Sequence, residues 1–98
     1  MSIFKSITTA VTGTELVNSS NYSANANITI SQIKVTNHGT VDVLVSVWLD
    51  DSGSDKYIFE TTIPKEVTLV FDESFSYPNT STLKVTTVGD SALTVIIN

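Results

Sequence analysis

Apolar and polar residues alternate with a period of two along most of this chain, and β-branched residues fill the apolar positions. That is the pattern of strands with one buried face rather than of amphipathic helices. The clearest segment is Val41 to Leu49, where Val41, Val43, Val45, Val47 and Leu49 share one side and predict a strand crossing the core. Ile28 to Thr36 reads as the strand before it, although Ile28 and Ile30 have the opposite parity to Ile33 and Val35. A bulge or bend near Ser31-Gln32 reconciles the two halves. Asn37-His38-Gly39-Thr40 then supplies a turn.

Further along, Asp50-Asp51-Ser52-Gly53-Ser54-Asp55 reads as a polar loop, followed by a strand carrying Tyr57, Phe59 and Thr61. Ile63-Pro64-Lys65-Glu66 ends that strand, since proline cannot donate to a central ladder. Val67, Leu69 and Phe71 form the next strand, and Asp72 to Thr80 a longer connection holding Phe75, Tyr77 and Pro78. Leu83, Val85 and Thr87 point inward from a further strand, Gly89-Asp90 turns, and Leu93, Val95 and Ile97 line the last one. With a first strand in Ile3 to Val17, the total is about seven. The expectation is an immunoglobulin-like antiparallel β-sandwich, one domain over residues 1–98, with residues 1–25 an N-terminal arm or first strand.

Composition narrows the function. Ninety-eight residues suffice for one core, and 41% are hydrophobic against 15% charged. Ten Asp and Glu stand against five Lys and no Arg, for a net charge of −5. Phosphate backbones and anionic lipid surfaces are gripped by Lys and Arg, so nucleic-acid and membrane partners are not expected. Acidity of this kind also keeps a protein soluble. Without cysteine there is neither disulfide framework nor thiolate metal site. The N-terminal MSIFKSITTA lacks the apolar run of a signal peptide, which points to synthesis and assembly in a cytoplasm. Sequons begin at Asn18, Asn21, Asn27 and Asn79, as a chain rich in Asn, Ser and Thr produces by chance.

Catalytic candidates are few. The one imidazole, His38, lies in a predicted turn, where a hydrolytic triad has no support, so no catalytic residue and no enzyme activity are expected. Asp50, Asp51 and Asp55 offer hard oxygen ligands for Ca²⁺ but lack the EF-hand register and its distal Glu, so no metal and no cofactor is expected. Trp48, Tyr57 and Tyr77 are the rings on which a sugar could stack. A less bland feature is the face opposite the valines. It carries Asp42, Leu44, Ser46, Trp48 and Asp50, and the last strand places Ile96 likewise. In an immunoglobulin-like order the Leu83 to Thr87 strand lies between them, so Leu44, Trp48 and Ile96 would form one mixed patch. Either Ile3, Phe4 and Ile7 of the same chain cover it, or a neighbouring subunit does.

Ile33-Lys34-Val35-Thr36-Asn37, the alternating Val41 to Leu49 with its acidic loop, Tyr57, Ile63-Pro64 with Thr68-Leu69-Val70, and Leu83-Lys84-Val85 together resemble small β-sandwich virion proteins of tailed bacteriophages. Such proteins often place Gly after the Pro, where this chain has Lys65-Glu66. The resemblance implies a non-enzymatic structural protein of the virion, in many copies. A capsid decoration protein bound to the outer surface of the major capsid protein is the leading role it implies. The alternatives are a neck or tail joining protein and, from a different class, a carbohydrate-binding module.

Overall fold

The computed structural model describes residues 3–17, 27–89 and 92–98, and within them it has ten strands and no helix. They are β1 (Ile3–Ile7), β2 (Thr14–Val17), β3 (Asn27–Ile30), β4 (Ile33–Asn37), β5 (Val43–Asp51), β6 (Ser54–Ile63), β7 (Val67–Phe71), β8 (Phe75–Pro78), β9 (Thr82–Val88) and β10 (Leu93–Ile97).

Their pairing follows one rule: the two halves of the chain lie antiparallel to each other from a common tip. The tip is the two-residue turn Ser52-Gly53, both with positive φ (53° and 89°), the geometry of the type I′ turn whose twist matches a hairpin. From there Asp51 faces Ser54, Val43 faces Ile63, Ile33 faces Phe71, Asn27 faces Pro78, Val17 faces Leu83, and Ile3 faces Ile97. This long ribbon rolls up so that β10 also pairs with β4 and β9 also pairs with β5. Two four-stranded sheets result, ordered β1-β10-β4-β7 and β2-β9-β5-β6, with β3-β8 extending the β4-β7 arm.

Strand order corrects the immunoglobulin-like expectation. In that fold the last strand shares a sheet with the strand before it, whereas here β9 and β10 belong to opposite sheets. Every step along the eight main strands crosses between sheets except the β5–β6 hairpin and its mirror is the pairing of the chain ends, which is the jelly-roll form of a sandwich. Three further strands arise where seven were expected. Ile3 to Val17 makes two, the Asp72 to Thr80 connection contains β8, and the predicted strand Ile28 to Thr36 is split at Ser31-Gln32, where both amides donate to the Asn98 carbonyl.

The core follows the alternation. Val43, Val45 and Val47 of β5 meet Ile33 and Val35 of β4, Leu83 and Val85 of β9, and Leu93, Val95 and Ile97 of β10, all buried. Val41, expected with them, is exposed and precedes the strand. On the side where the edge strands β6 and β7 meet, four rings close the gap between the sheets. Phe59 stacks on Phe71 at 5.5 Å, Phe71 meets Phe75 edge-on at 6.3 Å, and Phe75 stacks on Tyr77 at 6.1 Å. Aromatic pairs of this kind add about 0.5 to 1.5 kcal/mol each beyond their burial.

Asn37, read in the sequence as a turn residue, ends β4 fully buried. Its Nδ2 donates to the carbonyls of Val41 (2.9 Å) and Ile63 (3.0 Å), and its Oδ1 accepts from the Gly39 amide (3.1 Å). One side chain thereby ties the end of a strand in the first sheet to the entry of β5 and the exit of β6 in the second. Replacing it with an apolar group of similar size strands buried carbonyls, at about 1 to 3 kcal/mol per group. Asn37→Leu is therefore expected to lower unfolding stability by about 2 to 4 kcal/mol in urea titration. An unchanged midpoint would show that the amide is not what joins the sheets at this end.

Candidate functional site

The two outward faces of the sandwich carry different chemistry. None of β1, β10, β4 and β7 contains an Asp or Glu. Register places Phe4, Ile96, Lys34 and Val70 in one row across the outside of that sheet, with Ser6, Thr94, Thr36 and Thr68 in the adjacent row. Phe4 is 70% exposed and Val70 47%. Thr36 and Thr68 hydroxyls share a hydrogen bond at 2.9 Å, and His38 Nε2 lies 3.1 Å from Thr94 Oγ1. The single histidine is thus a turn residue bonded to a threonine, at the margin of this face.

The outside of β2-β9-β5-β6 is acidic. Glu15 lies opposite Lys84, Lys84 opposite Trp48, and Trp48 opposite Tyr57. Ser46 faces Glu60 and donates to its Oε2 at 2.6 Å, and Asp50 faces Asp55 across the hairpin. Tyr57 points outward although Phe59, two residues on, packs against the core, because Ile58 is an extra residue in β6, between the Val47–Phe59 and Trp48–Tyr57 pairs. The bulge turns the ring to the surface, where it stacks on Trp48 at 5.8 Å.

Leu44 and Trp48 therefore sit on this face and Ile96 on the opposite one, so the three expected patch residues do not come together. Trp48 is only 9% exposed although it points away from the core. Its cover is not Ile3, Phe4 or Ile7. The Val11–Gly13 segment is fastened to β9 by Thr87 N–H to the Val11 carbonyl (3.0 Å), Val11 N–H to Thr87 Oγ1 (3.2 Å) and Gly13 N–H to Thr86 Oγ1 (3.0 Å). Gly13, at φ +62°, lies beside the indole: a Cβ placed on it would come within 3.8 Å of Trp48 Cζ2. Phe4 instead lies beside Ile96 in the other sheet. Nor do the three rings named for sugar stacking form a platform: Trp48 is covered, Tyr77 is buried on β8, and Tyr57 alone is exposed.

The acidic loop is strand almost to its tip, which separates its carboxylates. Asp50 projects to the outer face, where Oδ2 accepts from Lys84 Nζ (2.8 Å) and Oδ1 from the Gly53 amide (2.9 Å). Asp51 turns the other way, to Lys56 (3.0 Å) and Ser81 (3.4 Å). Among the described residues no three His, Cys, Asp or Glu converge as a metal would require. A cleft of about 250 Å³ opens beside Asp51, lined by Leu49, Lys56, Ser76, Tyr77, Pro78 and Ser81. Its charged groups already neutralise each other.

No protein-family model matches this sequence, nor does any curated protein. Solved structures do. The core of the Drosophila nucleoplasmin-like protein NLP superposes with a TM-score of 0.58 at 14% identity, covering 99% of this chain and 91% of that one. The nucleoplasmin-like N-terminal domain of Drosophila FKBP39 gives 0.51 at 11% identity, covering 99% and 85%. PirA gives 0.51 at 12%, covering 98% and 90%. The fold is nucleoplasmin-like. That finding overturns the expected kinship with tailed-phage virion proteins, and with it the capsid decoration role, the neck or tail alternative and the major capsid protein as partner. The motifs behind the resemblance are strand and turn signals. They record which side of a strand is buried, and a nucleoplasmin-like roll uses the same signals with different neighbours.

Two outcomes follow from this geometry. Trp48→Ala empties a space flanked by the chain's own Val11–Gly13 segment, and is expected to cost about 3 to 4 kcal/mol, at the lower part of the range for buried aromatics. A melting curve measures it, and an unchanged midpoint would mean that the indole is not held by that cover. The second concerns the Asp50–Lys84 pair, whose side chains are 27% and 26% exposed. The hydrogen bond from Lys84, then that from the Gly53 amide, holds the Asp50 carboxyl below its ordinary range, and the bond to Asp50 raises Lys84. A lowered carboxyl stabilises the fold above its unfolded value, about 4, and that contribution fades as pH falls through the lowered folded value. A raised lysine stabilises below its unfolded value and fades as pH rises through the folded one. Lys84→Met is thus expected to melt slightly lower than wild type from pH 5 to 9, with the gap closing in acid. A gap that persists at pH 2 would place the effect in packing instead.

Proposed function

We propose that the chain is a non-enzymatic assembly subunit, copies of which associate and present their carboxylate-bearing faces to a basic polypeptide. The observation that carries this reading is the segregation of charge. All the strand carboxylates, at Glu15, Asp50, Asp51, Asp55 and Glu60, belong to β2-β9-β5-β6, and the opposite sheet offers an exposed Phe4 with no acid beside it. Depletion of charge around an exposed aromatic is what interface cores have. Concentrated carboxylates favour Lys-rich and Arg-rich partners and repel nucleic acid.

The nucleoplasmin-like fold supports the same reading from outside the chain, since the Drosophila NLP core was described for pentamer formation and histone binding. Sequence identity of 14% carries the fold and not the partner, so the basic polypeptide rests on the charge of this chain. Sedimentation equilibrium should give a mass several times the 10.6 kDa of one chain. Titration with a histone or polylysine should show saturable binding that weakens steeply between 50 and 300 mM salt, as screening of about 10 Å at 0.1 M demands. A chain that sediments at 10.6 kDa at every concentration up to the millimolar range overturns the assembly role, and binding insensitive to salt overturns the acidic face as the receiver.

A further inference from the structure

We propose that Tyr57, with Asp55 and Glu60 beside it, is the point on the acidic face that holds an arginine side chain of the basic polypeptide, so that this surface prefers arginine to lysine. The proposal rests on the binding read above and deepens it. It starts from the bulge in β6. With Ile58 as the extra residue, the outward positions of this strand are Asp55, Tyr57 and Glu60, opposite Asp50, Trp48 and Ser46. Bulges re-aim side chains. Without the insertion, alternation would set Tyr57 on the same side as Phe59, against the core.

The ring is backed on one side and open on the other. It stacks at 5.8 Å on Trp48, an indole only 9% exposed, while Tyr57 itself is 59% exposed. Asp55 and Glu60 flank it on the same face and are exposed too, Asp55 lying about 7 Å away along the strand. Neither forms a salt bridge among the described residues, whereas Asp50 and Asp51 are already taken by Lys84 and Lys56. Ser46 donates to Glu60 Oε2 and orients that carboxylate.

An electron-rich ring face between two carboxylates without a counter-ion is a place for a cation. Guanidinium fits it better than ammonium, because its plane lies flat on an aromatic face while its N–H groups fork to a carboxylate, and it is the more weakly hydrated of the two. The carboxylates attract both cations, so it is the ring that separates them.

Calorimetric titration with octaarginine and with octalysine tests this. Wild type is expected to bind octaarginine more tightly, and Tyr57→Leu to weaken octaarginine by about fivefold and octalysine by less than about twofold, the ratio of an exposed cation–π contact. Tyr57→Phe keeps the ring and should keep the preference. Melting curves verify that each variant folds. Should Tyr57→Leu not fold, Asp55→Asn with Glu60→Gln is compared with Glu66→Gln and Glu73→Gln, which remove two charges from exposed positions outside the strands. The first pair should weaken octaarginine more than the second. The proposal is overturned if folded Tyr57→Leu retains the wild-type preference or weakens both peptides alike, or if the two charge-matched pairs weaken octaarginine equally. Wild type that binds neither peptide saturably removes the acidic face as a receiver altogether, and so is distinguishable from a wrong choice of anchor.

Discussion

The buried amide of Asn37 is the point at which the two sheets are held to a common register. It stands where β4 leaves one sheet and β5 enters the other, and it bonds the carbonyls of Val41 and Ile63 on either side of that passage. A sheet with one buried face can slip only in steps of two without exposing its apolar residues. Within each sheet the alternation of Val43, Val45, Val47 against Leu83 and Val85 enforces this. Between sheets no ladder exists, and directional bonds from a buried side chain do what packing alone leaves loose. Leu93 lies opposite Asn37, so the closing strand β10 is placed against the same residue.

From that clamp the surface chemistry follows by parity. Once the odd positions of β5 face the core, Leu44, Ser46, Trp48 and Asp50 must face out, and pairing carries the same orientation to Lys84, Thr86 and Val88 in β9. The one departure is Ile58, whose insertion in β6 inverts Tyr57 and gives Trp48 a stacking partner. A large ring on the outer face would otherwise leave considerable apolar area in water. Tyr57 on one flank and the Val11–Gly13 segment on the other remove it, which makes Trp48 part of the fold while Tyr57 stays at the surface.

Parity was legible in the sequence, and adjacency was not. The inward residues of β5, β7, β9 and β10 follow from alternation, and the change of parity between Ile30 and Ile33 located the break at Ser31-Gln32. Nothing in a period of two says which strand lies beside which. Leu44 and Ile96 share a patch only in an immunoglobulin-like order, and in the roll they lie on opposite faces. The bulge at Ile58 is not legible either, because an inserted residue inside an apolar-rich strand leaves no turn signal. The strand β8 was hidden in a connection because Phe75, Ser76, Tyr77 and Pro78 are too few to alternate convincingly, and their pairing with β3 is set by the ribbon and not by propensity. Charge segregation was hidden for the same reason, since it appears only when strands are sorted into sheets.

That sorting bears on how an acidic chain can associate with itself at all. A net charge of −5 spread evenly over both faces would set carboxylate against carboxylate in any stack of copies. The roll sends most successive strands to alternate sheets, so residues near in sequence, such as Glu60 and Thr68, end on opposite sides of the sandwich. Acids confined to β2, β5, β6 and the connections leave β1, β4, β7 and β10 with hydroxyls, aliphatic groups, the rings of Phe4 and Phe71, the Asn37 amide and two lysines, Lys5 and Lys34. Lys5 is spent at the sheet margin, donating to the Glu15 carbonyl at 3.0 Å. Lys34 is then left as the one charge in the outer row of that sheet, and the carboxylates and the uncharged surface lie on different sides of the same molecule.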